Sequence, residues 1–328
     1  MAATSRYAAQ VCLLLVSALA LDACARSLAR PATVPSAAQV RSLWHEPTDV
    51  ERRNLFDGPG GRQQAPGPGP FTFIDRKQSG MNPGFDVRDR EGTQWSVKLG
   101  REAQSEIALS RVLWAIGYHQ PQAYYVEQWE MTGAVRGKQE AGRFRRELPG
   151  EEVVGEWSWY ENPFIGSRPF AGLVAVNLLF NNWDLKTTNN KVYASKTEGG
   201  LERRYVVRDL GGSLGSSRQP AVLRWLPFMR LKQGSRNDIA DFEKQPFIES
   251  VEGNEVTFAY RGIDGALADS VTMEDLRWTA SLLSRLSERQ WQDAFRAAGY
   301  SADESRRYVR KIHEKLAEIG KFPSRRSR

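Results

Sequence analysis

The chain has 328 residues, of which 41% are hydrophobic and 10% aromatic. That is enough for one large domain or two modest lobes with real cores, and it excludes a disordered or fibrous chain. The formal charge of +7 suits anionic partners such as a nucleotide, phospholipid head groups or nucleic acid, although Lys321, Arg325, Arg326 and Arg328 place much of the excess in a C-terminal tail.

The first 25 residues read as a signal peptide. Arg6 precedes an apolar run from Val11 to Leu21, broken by Ser17 and too short to span a bilayer comfortably. Leu21-Asp22-Ala23-Cys24 resembles a bacterial lipobox with Cys24 as the lipidated residue. Cleavage after Ala25 and a retained membrane anchor are the alternatives. The expectation is an exported protein, periplasmic or held at the membrane as a lipoprotein. Cys12 and Cys24 are the two cysteines, so the rest of the chain has no disulfide and no cysteine metal site. His45, His119 and His313 are too few and too scattered for a histidine zinc site.

Residues 26–70 are rich in Ala, Pro, Ser and Gly and read as a linker, because such composition buries too little apolar surface to offset its ordering entropy. Trp44 and Leu55 are the residues able to dock locally. The folded part is expected from Phe71. Phe71–Ile74 is a strand, followed by a turn-rich loop holding Gly80 and Gly84. Phe85, Val87, Trp95, Val97 and Leu99 alternate with polar residues around a turn at 89–92, which predicts a hairpin ending near Lys98. Residues 101–116 lack breakers and carry Ile107, Leu109, Val112, Leu113 and Ile116 at helical spacing, with Gly117 as the stop. Glu102 and Glu106 share one face of that helix. Residues 123–131 read as one strand, and 133–155, charged and glycine-rich, as an insertion or a further hairpin.

Ser167-Arg168-Pro169 is a helix start, and the strongly apolar run to Phe180 predicts a buried helix. It delivers Asn181-Asn182-Trp183-Asp184-Leu185-Lys186-Thr187-Thr188-Asn189 as a polar loop. A hairpin over 191–207 then leads to Arg208-Asp209-Leu210-Gly211. Further on, 247–260 suggests a short hairpin. Helices follow over 273–286, over 287–298, and after a capping box at Ser301–Glu304.

Asp184-Leu185-Lys186-x-x-Asn189, then Asp209-Leu210-Gly211, after a Lys98 strand and a Glu106 helix, resembles the protein-kinase-like superfamily in the order of its parts. The passage from Ser105 to Pro121 is similar to HipA-type and phosphatidylinositol-kinase-like proteins. The resemblance implies an α+β, two-lobed fold: a β-rich N-lobe over 71–131 and a mainly helical C-lobe over 132–328. It also implies Mg²⁺ and ATP, with phosphoryl transfer to a hydroxyl acceptor that no motif names. Gly80 and Gly84 would cover the nucleotide phosphates. Lys98 would hold them, fixed by Glu106 with Glu102 as runner-up. Asn189 and Asp209 would bind Mg²⁺. Asp184 would orient or deprotonate the acceptor, and Lys186 would neutralise the moving phosphoryl group. Nucleic acid is the less favoured partner.

Asn182-Trp183-Asp184 stands where typical protein kinases have H-R-D, so the arginine that reads a phosphorylated activation loop is absent. The chain therefore looks like an atypical bacterial or secreted-type kinase. Because ATP is expected to be scarce outside the cytoplasm, a catalytically silent pseudokinase that binds a ligand or a protein is the alternative. A third reading takes Gly211-Gly212-Ser213-Leu214-Gly215 as a G-x-S-x-G elbow with Ser213 as a hydrolase nucleophile, although Pro220 breaks the helix such an elbow needs.

Overall fold

The computed structural model describes residues 34–77, 83–217 and 234–322. The signal peptide expected at 1–25 lies outside the described residues. Among the described residues no helix is long and apolar enough to cross a membrane.

The segment expected as a linker is partly folded. Helix α1 (Ala37–Leu43) opens with a capping box in which the Ser36 hydroxyl accepts from the Gln39 N–H and the Gln39 side chain accepts from the Ser36 N–H. Leu43, Val50 and Leu55 are at most 1% exposed. The Trp44 indole N–H donates to the Ile116 carbonyl at 2.7 Å, and its ring packs edge-on against Trp278. The folded body therefore starts well before Phe71. Composition averaged over 26–70 hides four apolar anchors whose partners all lie far along the chain.

Strands β1 (Phe71–Lys77), β2 (Gly84–Arg88) and β3 (Gln94–Leu99) form the expected antiparallel meander. They belong to a seven-stranded sheet of order β4-β7-β3-β2-β1-β5-β6. The single strand expected at 123–131 is two. β4 (Ala123–Val126) pairs with β7 (Gly142–Arg146), whereas β5 (Trp129–Thr132) runs parallel to β1 on the other side and carries β6 (Gly137–Gln139). β7 lies between β4 and β3, with Val97 opposite Phe144 and Lys98 opposite Arg143. The β-rich part thus runs to Arg146, beyond the expected boundary at 131. Phe71, Phe85, Trp95, Trp129 and Phe144 fill its core.

Helix α2 (Glu102–Ala115) is buried on almost every side. It stops at Ile116, where Gly117 takes a φ of 102° that a side chain disfavours, and an added Cβ would strike the His45 carbonyl.

The second half is mainly helical. In helix α3 (Arg168–Leu179) the Ser167 hydroxyl caps the Phe170 N–H, and every residue from Pro169 on is buried. β9 (Asn190–Thr197) and β10 (Gly200–Val207) make the expected hairpin, extended by β8 (Glu151–Glu156). A short helix α4 (Ile239–Lys244) precedes the hairpin β11 (Ile248–Glu252) and β12 (Glu255–Phe258). Helices α5 (Met273–Leu283), α6 (Glu288–Arg296) and α7 (Ala302–Gly320) each begin with a capping box. The α+β architecture expected from the sequence is the one found, with its β-rich and helical parts meeting at one cleft.

Candidate active site

A cleft of about 560 Å³ is lined from both parts of the molecule. Of the eight residues singled out in the sequence, Gly84, Lys98, Glu106, Asp184, Lys186, Asn189 and Asp209 line it. Gly80 lies outside the described residues. Residues more than a hundred positions apart in sequence are thus brought face to face.

Lys98 is the meeting point. Its Nζ lies 2.8 Å from Glu102 Oε2, 3.4 Å from Glu106 Oε2 and 2.8 Å from Asp209 Oδ1. The runner-up Glu102 is thus the closer of the two helix carboxylates, and Lys98 bonds both. Each carboxylate has a second cation: Glu106 Oε1 lies 2.9 Å from Arg143 Nε, and Glu102 pairs with Arg236. This places one strand, one helix and the end of the β9–β10 hairpin around a single ammonium. Burial pushes the Asp209 carboxyl up. The Lys98 charge and hydrogen bond, the Gly211 N–H and Arg143 outweigh it, so its pKa is lowered and it stays ionised.

The opposite wall is a loop held by neutral hydrogen bonds. After α3, Asn181 adopts a left-handed φ of 54°, a conformation Asn tolerates better than most residues. The Asn182 amide donates to Asn177 Oδ1 at 2.8 Å, and the Tyr260 hydroxyl donates to the Asn182 carbonyl at 2.8 Å. Asp184 is then fixed from two sides: Lys186 Nζ is 2.7 Å from Oδ1, and the Asn189 amide donates to the Asp184 carbonyl at 2.7 Å and to Oδ2 at 3.3 Å. The Asn189 carbonyl accepts from the N–H groups of Arg208 and Asp209, which ties this loop to the hairpin end. Gly211 allows the closest approach to α2, because a Cβ there would meet the Glu102 side chain at 2.6 Å. The Ser105 hydroxyl donates to the Gly211 carbonyl at 3.0 Å.

The donors suit a hard cation. Asp209 Oδ1 takes the Lys98 ammonium and the Gly211 N–H, so among the described residues Oδ2 is uncommitted. Asn189 spends its amide N–H on Asp184, which leaves its amide oxygen. One carboxylate oxygen and one amide oxygen, completed by phosphate oxygens and water, form a usual magnesium set. Among the described residues no group of three or more His, Cys, Asp or Glu side chains could hold a metal by itself.

The structure also assembles residues that were not foreseen: Arg143, Arg145, Arg208 and Arg236 line the cleft. Arg143 donates to the Ser96 carbonyl, Arg145 to the Ser96 hydroxyl, and the Arg236 guanidinium lies 4.8 Å from the Trp183 ring centroid. The two from β7 belong to a segment whose charged sequence reads as an insertion. Their signal was the alternation around Phe144.

Ser213 is not presented as a nucleophile. It is 0% exposed, and its hydroxyl has no hydrogen-bond partner among the described residues. Leu214, with a φ of 61°, follows in place of a helix. Its N–H donates to the Phe180 carbonyl and its carbonyl accepts from the Tyr308 hydroxyl, so the glycine-rich stretch laces α3 to α7.

No family model matches the chain, and no curated protein matches it. Solved structures similar to it include two kinases. One is a Helicobacter pylori proinflammatory kinase, CtkA, at 11% identity and a TM-score of 0.42, covering 76% of this chain and 93% of that one. The other is the Golgi casein kinase with Mn/ADP bound, at 10% identity and a TM-score of 0.34, covering 76% and 71%. Both likenesses are weak, and the chemistry of the cleft rests on the residues that line it.

Proposed function

We propose that the cleft is a phosphotransfer site, taking Mg·ATP as donor and a hydroxyl as acceptor. The observation that carries this reading is the convergence on Lys98 of two helix carboxylates and Asp209, across from Asp184 and Asn189. Proteins that move a phosphoryl group need little covalent chemistry of their own and much positioning and charge. Lys98, held by Glu102 and Glu106, would bind donor phosphate oxygens. Asp209 Oδ2 and the Asn189 amide oxygen would hold magnesium, which when bound neutralises charge on the phosphates. Asp184, oriented by Lys186 and Asn189, would accept the hydrogen bond of the acceptor hydroxyl and take its proton as the new P–O bond forms and the bond to ADP breaks. Lys186 would offset charge on the group in transit.

We further propose that the protein is exported and tethered by Cys24. Labelling with a lipid precursor, lost on Cys24→Ser, tests that part.

The cleft is tested by calorimetric titration of the full chain with ATP, with and without Mg²⁺, beside Asp209→Asn. The full chain is required because residues 37–64 are built into the core. Binding that needs Mg²⁺ and is lost in the variant supports the reading. Equal binding by both proteins removes Asp209 as the metal ligand.

A further inference from the structure

Eight Lys and Arg side chains line the cleft, facing five Asp and Glu. Six of the eight have carboxylate partners. Lys98, Arg143, Lys186 and Arg236 are paired as described above, Lys77 lies 2.9 Å from Asp86, and Lys191 pairs with Glu156. Arg145 and Arg208 have none among the described residues. Arg145 spends one N–H on the Ser96 hydroxyl at 2.9 Å, and the Arg208 side chain has no hydrogen bond to a described residue.

Two unpaired guanidiniums in one cleft repel each other and have lost part of their hydration, a cost an anion relieves. Burial, followed by Arg143 and Arg208, pulls the Arg145 pKa down to about 10, so it remains charged at neutral pH. A second observation points the same way. Tyr193 is 8% exposed, yet its hydroxyl has no hydrogen-bond partner among the described residues. It lies two residues along β9 from cleft-lining Lys191, hence on the same strand face, and it acts on the Arg145 charge. An unmatched donor thus lies within electrostatic reach of Arg145.

We infer that Arg145 and Arg208, with the Tyr193 hydroxyl as a further donor, form a second anion subsite that takes a phosphoryl group without help from magnesium. The planar guanidinium fork matches phosphate oxygens in pairs, which gives orientation as well as charge. Two sources share this chemistry: a phosphate already present on the acceptor, or a phosphate of the donor nucleotide beyond those that Lys98 and the metal hold. The subsite itself stands without the phosphotransfer reading, and the choice between sources rests on it.

The test is titration of the full chain with inorganic phosphate in Mg²⁺-free buffer, for the wild type and for Arg145→Gln/Arg208→Gln. Charged hydrogen bonds of this kind lead us to expect at least about a tenfold loss of phosphate affinity in the double variant. Arg208→Gln alone, on the half-buried member, should show a smaller loss if the double variant melts early. Repeating the titration under saturating Mg·ADP separates the sources. Phosphate that still binds assigns the subsite to the acceptor, and phosphate that is excluded assigns it to the donor. No phosphate binding by the wild type, or equal binding by folded variants, overturns the subsite. Failure of Mg·ADP to bind while phosphate binds would count against the phosphotransfer reading alone.

Discussion

The two walls of the cleft are built on opposite principles. The sheet wall, from β3, α2 and β7, is a lattice of charges: Lys98, Glu102, Glu106 and Arg143, with Arg236 reaching in from the segment before α4, each touch at least one opposite partner. The loop wall, from Asn181 to Asn189, is fixed mostly by amides and carbonyls, with one ion pair at Asp184. Neutral hydrogen bonds hold geometry whatever the ligand state. Paired charges can exchange partners when an anion or a cation arrives. The loop wall is therefore suited to keeping the Asp184 carboxylate in place, and the sheet wall to accommodating changes of charge.

The largest expected effect tests the loop wall. Asp184→Asn keeps the shape and most of the hydrogen bonding of the side chain but removes the proton acceptor. Turnover of Mg·ATP should fall by about 10²–10⁴-fold, the usual share of acid–base help, while Mg·ATP affinity is retained. Single-turnover release of ADP measures it. An unchanged rate would take that role away from Asp184.

The next effect concerns what holds the loop wall from behind. Lys315 on α7 is 0% exposed and donates to the Leu179 carbonyl and to Asn181 Oδ1, both at 2.9 Å, with its Nζ 4.2 Å from the Phe242 ring centroid. It thus satisfies the end of α3 and the first residue of the loop together. Burial pushes its pKa well down, and its removal leaves the Leu179 carbonyl and Asn181 Oδ1 without this donor. Lys315→Met should cost about 1–3 kcal/mol by denaturant unfolding, from the two acceptors left unpaired. The loss should be the same at low and high salt, because no exposed charge pair is involved. A variant as stable as the wild type would show that water replaces the ammonium.

The same contrast explains what could be read from the sequence. The loop wall was legible because its chemistry is local: Asp184, Lys186 and Asn189 fall within six residues, and a buried helix with a capped start leads straight into them. The Lys98 strand and the Glu102–Glu106 helix were legible for the same reason, each showing its own period. The arginines of β7 were not. Arg143 and Arg145 are matched to Ser96, 47 and 49 residues away, and Arg143 also to Glu106, so the alternation around Phe144 is their one local sign. The anchors Leu43, Trp44, Val50 and Leu55 follow no period and reach partners in α2 and beyond. Glycine and proline around them outweigh four apolar residues in any window. Glu102 and Glu106 could not be ranked by spacing, because both sit on the helix face turned towards Lys98.

The smallest expected effect lies behind the sheet wall, where the N-terminal segment clasps the end of α2. His119 contacts the Arg41 carbonyl through Nε2 at 2.9 Å, and its ring lies 5.6 Å from that of His45. Burial lowers the His119 pKa. The Arg41 carbonyl opposes this, His45 and Arg204 add to it, and the result is about 4 against an ordinary 6.5. His45 is lowered as well, by burial and by Arg53, with Asp49 opposing. With the folded pKa depressed, the unfolded chain binds the extra proton, so stability is full above pH 6.5 and is lost as pH falls from 6.5 towards 4. Asp209 shifts the other way in consequence: its lowered pKa keeps it charged throughout that window. Mild acid should therefore loosen the clasp while Asp209 keeps its charge. Thermal melts between pH 7 and 4 should show a falling midpoint for the wild type and a shallower fall for His119→Gln. Equal slopes would mean that the proton is taken up elsewhere, and the clasp would then owe its hold to Trp44 and its neighbours alone.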